Sequence, residues 1–247
     1  MMYVCIRPLD LRAQLYKNAI HIIEYPLGNV HEAASDFFSR KYCGYNLQCS
    51  NTDDNPLIST GSASHYLNDG SEMQPDKSFK VPHRGCPNIV VEIGMSQSLE
   101  SLHDKAVRYL TTTDNIMIVI TIKIYSAHNN DCRMICCMYL RQQNQNNDTP
   151  VRAISFGTAA VSLPDLMDTT GVAIENVRGL FEPHGDFQGD PICNQAGMEA
   201  YQLRLPRQLL LAEDNVGINI NANNINYPDW IIDLFALQTT ILRMLND

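Results

Sequence analysis

The sequence has no hydrophobic run long enough to cross a bilayer. Its longest near-continuous apolar stretch, residues 116–124, contains Lys123 and is far shorter than the ~20 residues that a transmembrane helix requires. An apolar targeting segment is not expected at the N-terminus either, because Arg7, Asp10 and Arg12 interrupt it. These absences argue against a membrane protein.

The sequence is also poor in the motifs of several protein classes. Its eight cysteines are spread thinly, with no CxxC pair and no Cys/His set at zinc spacing, so a reduced intracellular protein of the cytoplasm or nucleus is expected. No HExxH, Gly-x-Ser-x-Gly, Walker or dinucleotide-binding motif is present. Zinc proteases, serine hydrolases and P-loop enzymes are therefore disfavoured.

Positive charge is scarce as well. Lys and Arg number 18 against 27 Asp and Glu, for a net charge of −9. Residues 1–110 carry 10 basic and 12 acidic residues, whereas residues 111–247 carry 8 and 15. The chain lacks a global basic field of the kind that attracts nucleic acid, and any polyanion should bind the first half.

Periodicity in the first half predicts a helix, a set of strands and a second helix. A helix is expected at residues 29–42, with Asn29 as its cap and Glu32 three residues later. Period-two patterns and flanking turn residues then predict short strands. A switch to a helical period, with Ser96 or Ser98 as cap and Tyr109 in the apolar stripe, predicts a second helix. The expected strands cover residues 44–49, 57–67, 79–81 and 88–94, with a turn at 51–56, and the helix covers residues 96–110.

The rest of the chain begins with a strand whose two faces are both apolar, at residues 116–124, as in a buried central strand. Further strands are expected at 133–140, 151–156 and 201–205, with loops at 142–148 and 214–226. Residues 157–197 have little periodicity and predict irregular structure. A closing helix, started by Pro228, is expected to include Trp230 in its apolar stripe.

Three residues could carry chemistry together. Asp76 follows Pro75, Glu92 stands within an apolar strand, and Lys105 lies on the helix that this strand enters. A carboxylate in such a strand is costly to bury unless it is paired or binds a cation. Two carboxylates are typical ligands of Mg²⁺, which completes its shell with water and substrate phosphate. A nearby lysine would orient the attacking water or stabilise negative charge at phosphorus.

These residues, in this order, resemble the PD-(D/E)XK restriction-endonuclease-like superfamily, whose core has the order αβββαβ. The matching region is about residues 29–125. Residues 90–110, VVEIGMSQSLESLHDKAVRYL, are most similar to the branch of restriction-endonuclease-like proteins in which the lysine stands on the following helix. The resemblance implies that Asp76 and Glu92 bind Mg²⁺ or Mn²⁺, with the backbone carbonyl of Ile93 as a further ligand.

The chain departs from the common pattern of that superfamily at one position. The lysine that usually follows the acid by two residues is replaced by Gly94, and the resemblance assigns its role to Lys105. At 100° per residue Lys105 lies beside the apolar stripe, so its amine either reaches the strand end or extends into water. Glu32 matches a place where some members add another acid.

The overall expectation is an α/β protein with a restriction-endonuclease-like core, a β-rich C-terminal extension and a closing helix. Residues 1–28 are interpreted as an N-terminal extension, 29–156 as the core with added strands, and 157–247 as the C-terminal extension. The expected function is a Mg²⁺- or Mn²⁺-dependent endonuclease that acts on nucleic acid, with DNA favoured over RNA. A homodimer is compatible with the sequence. The alternatives are a catalytically silent nuclease-like scaffold and a hydrolase of unrelated fold.

Overall fold

The computed structural model describes residues 12–16, 19–24, 28–49, 56–82, 84–126, 131–141, 147–211 and 227–246. Five helices lie in these ranges: α1 Asn29–Cys49, α2 Leu99–Thr112, α3 Leu163–Thr170, α4 Arg207–Leu210 and α5 Leu234–Asn246. The first strands are β1 Arg12–Tyr16, β2 Ala19–Glu24, β3 Ile58–Gly61, β4 His65–Tyr66, β5 Glu72–Met73, β6 Lys77–Lys80 and β7 Ile89–Gly94. The later strands are β8 Ile118–Ile124, β9 Arg133–Leu140, β10 Arg152–Gly157, β11 Val177–Gly179, β12 Gln202–Leu205 and β13 Trp230–Asp233.

A seven-stranded mixed sheet organises the protein, in the order β11-β10-β9-β8-β7-β6-β3. Strands β7 and β8 are parallel because α2 carries the chain back between them, and β10 and β11 are parallel with α3 in their connection. The other neighbouring pairs in this sheet are antiparallel. The expected α/β class is confirmed, and α1, β3, β6, β7, α2 and β8 follow one another in the expected order α, three strands, α, strand.

Helices cover both faces of the sheet, and the alternation within β7 decides which side chains meet them. Ile89, Val91 and Ile93 face a buried cluster that contains residues of α1 and α5. Val90, on the opposite face, packs in a second cluster with residues of α2 and α3. Because side chains alternate along a strand, Glu92 lies on the α2 side of the sheet.

Several sequence-based expectations about secondary structure are wrong, and three of them concern the helices. Helix α1 continues to Cys49, so the strand expected at residues 44–49 is helical; buried Tyr45 extends the apolar stripe of α1 and stacks on Trp230, with ring centroids 5.7 Å apart. Trp230 itself begins β13 rather than belonging to the closing helix. Residues 157–197 include α3, which Ser162 caps by accepting a hydrogen bond from the Asp165 amide.

Two further findings concern the expected turn and loops and the expected lack of a membrane-spanning segment. Most of the turn expected at 51–56 and of the loop at 142–148, and the whole loop at 214–226, lie outside the described residues. No helix in the described ranges is long and apolar enough to span a membrane.

Candidate active site

Strand β7 places a carboxylate in the interior of the protein. All six residues of β7 are buried, and Glu92 is only 1% exposed. Its neighbour across the β7–β8 pair is the buried Thr121, which is uncharged. Burial of an ionised carboxylate is costly, so the partners of Glu92 determine whether the site is stable.

Helix α2 supplies two partners for Glu92. The Lys105 ammonium donates a hydrogen bond to Glu92 Oε2 at 3.0 Å, and the Tyr109 hydroxyl donates one to Oε1 at 2.8 Å. Burial raises the pKa of Glu92 above its usual value; the Lys105 charge opposes this, and the nearby charge of Asp76 adds to it. The sequence left two positions for the Lys105 amine, at the strand end or in water. The structure places it at the strand end, in contact with Glu92.

The sequence of α2 explains why both donors reach the same acid. Ser98 caps the helix by accepting a hydrogen bond from the Ser101 amide, which sets its first turn at the end of β7. Lys105 and Tyr109 are four residues apart and therefore lie one above the other on one helical face. That face is directed at the strand because the adjacent stripe, which includes Leu102 and Ala106, is fully buried.

The second acid, Asp76, lies immediately before β6 and is 5% exposed. Its Oδ2 accepts a 2.6 Å hydrogen bond from the Ile93 amide, which ties it to the residue after Glu92. Its Oδ1 lies 3.2 Å from Nε2 of His31 on α1. Ser35, one turn further along α1, donates to the Asp76 backbone carbonyl at 3.4 Å. Asp76 is thus held from the strand and from the helix on the opposite face.

Two of these contacts, that of His31 with Asp76 and that of Tyr109 with Glu92, were not predicted from the sequence. His31 is buried beside Asp76, whereas Glu32, the acid suggested for this helix, has a side chain that is 63% exposed. A signal for His31 exists in its spacing from Ala34 and Phe38, which puts it on the buried face of α1. Tyr109 was interpreted as a packing residue, although its position four residues after Lys105 is compatible with a shared target.

Gly94, the position at which the resembled superfamily has a lysine, is closely packed. A Cβ atom at this position would lie 2.8 Å from Cδ1 and 3.1 Å from Cγ of Leu102. Because Leu102 is fully buried against the strand, a side chain at position 94 would force the Leu102 side chain to shift. The packing that brings Lys105 to Glu92 therefore also fills the space where a strand lysine would begin.

A second buried lysine has a different environment. Lys123 stands opposite Gly94 in the β7–β8 register, and its ammonium donates to the carbonyl of Met95 at 2.6 Å and to that of Gln97. These carbonyls belong to the turn between β7 and α2. Lys123 thus stabilises the turn that sets the start of α2.

The two acids supply part of the coordination shell that a divalent cation needs. Asp76 and Glu92 offer the carboxylate oxygens that Mg²⁺ prefers. In the part of the chain that the structure describes, no group of three or more His, Cys, Asp and Glu side chains could hold a metal. The pair therefore fits a cation that takes its remaining ligands from water and phosphate, and does not fit a closed structural metal site. For Ile93 the structure records the amide contact with Asp76, and the role of its carbonyl stays a prediction.

Comparison with known proteins gives a likeness among solved structures. No family model matches the chain, and no curated protein matches it. Among solved structures, the chain is similar to a protein from Anabaena variabilis described as a candidate nuclease of the DUF820 family. The identity is 13%, the TM-score is 0.42, and the match covers 69% of this chain and 92% of the other. At this level of similarity the likeness carries no argument about the chemistry of the site.

Proposed function

We propose that the protein is a divalent-metal-dependent nuclease that hydrolyses phosphodiester bonds, with DNA as the preferred substrate. One observation supports this above all: two buried acids, Glu92 on β7 and Asp76 immediately before β6, lie within reach of each other's charge, and a lysine contacts one of them. A buried acid pair is unfavourable in a purely structural role because each negative charge opposes the other. A bound cation would remove that cost.

In this proposal each residue has a separate task. Asp76 and Glu92 hold Mg²⁺ or Mn²⁺, with the Ile93 carbonyl as an additional ligand. The cation supplies Lewis-acid stabilisation of phosphate charge. Lys105 orients the attacking water or stabilises the negative charge that develops at phosphorus.

The exposure of the side chains supports an approach of substrate from the Lys105 side. Lys105 has 15% of its side chain exposed, against 2% for Glu92 and 3% for Asp76. A phosphate that approaches the acids would therefore meet a positive charge first. This single positive charge acts only at the site, whereas the net charge of −9 acts over the whole surface and repels nucleic acid.

The experiment that tests the proposal is a cleavage assay with plasmid, single-stranded DNA and RNA in Mg²⁺ or Mn²⁺ at low salt. We expect the wild-type protein to cleave DNA and the Asp76→Asn variant to have no measurable activity, because the amide loses the charge that holds the cation. Asp36→Asn is the matched control, since Asp36 lies on α1 with 60% of its side chain exposed and pairs with Arg40. Undiminished cleavage by Asp76→Asn would contradict the proposal.

A catalytically silent scaffold that serves as a binding or assembly module is the second candidate. One observation favours it: every carboxylate oxygen of the acid pair already lies within 3.2 Å of a protein nitrogen or hydroxyl. Such a pair could be stable without any cation. A silent scaffold should show no thermal stabilisation by Mg²⁺, whereas a working site should show stabilisation that disappears in Asp76→Asn.

A further inference from the structure

The environment of Tyr109 differs from that of the other tyrosines in the helices around the sheet. Its side chain is completely buried, yet its hydroxyl ends 2.8 Å from an oxygen of a candidate metal-binding acid. The ring packs in the cluster between α2 and the sheet, with Val90, Ala106 and Leu110. A ring fixed in this way places its hydroxyl at one defined point in the site.

The hydroxyl of Tyr109 can act only as a donor toward Glu92. An ionised carboxylate accepts hydrogen bonds and donates none. The hydrogen bond therefore runs from the phenol to the carboxylate as long as Glu92 is ionised.

The two oxygens of Glu92 consequently have different surroundings. Oε1 accepts from the buried Tyr109, and Oε2 accepts from Lys105, which is the more exposed of the two donors. A hydrogen bond on Oε1 restricts rotation of the carboxylate and keeps Oε2 directed toward the accessible side. In metal sites, such contacts from surrounding residues set ligand orientation, and their loss commonly reduces metal affinity by about 10- to 100-fold.

We propose that Tyr109 is a positioning residue that fixes the orientation of Glu92 for cation binding. This inference rests on the proposed nuclease function and adds a residue to it. Tyr109 acts through Glu92 and does not contact the substrate. Helix α2 thus provides both the lysine for the reaction and, one turn later, the group that orients the acid.

The test is Mn²⁺ binding to the whole protein without nucleic acid, followed by electron paramagnetic resonance of the free ion. We expect Tyr109→Phe to weaken Mn²⁺ binding by about 10- to 100-fold and to lower kcat with little change in KM for DNA. Tyr45→Phe is the matched control, since Tyr45 is also buried and donates one hydrogen bond, to the Pro228 carbonyl at 3.0 Å, outside the site. Equal Mn²⁺ affinities in the two variants would overturn the inference.

A second measurement covers the case in which Tyr109→Phe folds poorly. Incorporation of 3-fluorotyrosine at position 109 keeps the hydroxyl. The ¹⁹F signal of this labelled protein should shift on titration with Mg²⁺. In the labelled protein that also carries Glu92→Gln, the signal should not change on the same titration. A constant signal in a protein that binds Mg²⁺ overturns the role of Tyr109 and leaves the nuclease proposal intact. A wild-type protein that neither binds Mn²⁺ nor cleaves DNA overturns both.

Discussion

Replacing Lys105 by methionine should reduce the rate of DNA cleavage by about 100- to 1,000-fold, the usual effect of removing one electrostatic stabiliser from an active site. Methionine keeps much of the length and apolar character of the lysine stem, so packing on α2 should be preserved. The same variant should bind Mn²⁺ more tightly, by about tenfold or about 1.4 kcal/mol. The reason is that the Lys105 ammonium now contacts Glu92 Oε2 at 3.0 Å and opposes a second cation there.

A lower cleavage rate together with tighter Mn²⁺ binding would show that the Lys105 charge acts on the reaction and does not help to bind the metal. Single-turnover cleavage at saturating Mn²⁺ measures the first quantity, and the free-ion signal measures the second. Lys41→Met provides the control, because Lys41 lies on α1 with its ammonium 5.3 Å from the centre of the Phe37 ring, outside the site. Wild-type cleavage by Lys105→Met would show that another group carries this role.

Glu92→Gln should abolish cleavage and make the metal-free protein more stable at neutral pH. Burial, with the charge of Asp76, raises the pKa of Glu92 in the folded protein above its usual value of 4.5. The folded state therefore binds the proton more tightly than the unfolded state. The stability associated with the protonated acid is fully present below the usual pKa and is lost as pH rises through the raised folded-state pKa.

Glutamine does not ionise, so Glu92→Gln should avoid this loss. Denaturant unfolding in a chelator should give similar free energies of unfolding near pH 4, after allowance for the substitution itself. The free energy of unfolding of the variant should then rise relative to that of wild type as pH increases through the folded-state pKa. Saturating Mg²⁺ should reduce or reverse the difference, because only the wild type binds it well. A difference between variant and wild type that does not change with pH would contradict the prediction.

The sequence predicted the centre of the fold because the signals there are local. Strand β8 is apolar on both faces, and the alternation in β7 puts Ile89, Val91 and Ile93 on one side. Helix α2 was predicted from the period of its buried residues and its serine cap. Asp76, Glu92 and Lys105 were selected for their chemistry and order, and the structure brings them to one place.

What the sequence did not reveal depends on contacts between distant segments. His31 lies beside Asp76 only because α1 packs across the sheet, and a histidine on an apolar helical face does not specify its partner. Helix α1 was predicted too short because Gly44 and its polar neighbours favour a turn locally. Packing of Tyr45 on Trp230, far along the chain, outweighs that preference.

The contact between Gly94 and Leu102 also bears on how such a site can change during evolution. A lysine at position 94 requires space that Leu102 fills, and a smaller residue at position 102 leaves a cavity unless position 94 becomes larger. Each single substitution is therefore unfavourable alone, and their effects are strongly coupled. A lineage with Gly94 and Leu102 can gain a lysine at position 94 only through an impaired single variant or by changing both positions at once. Neutral drift should therefore preserve the lysine at position 105.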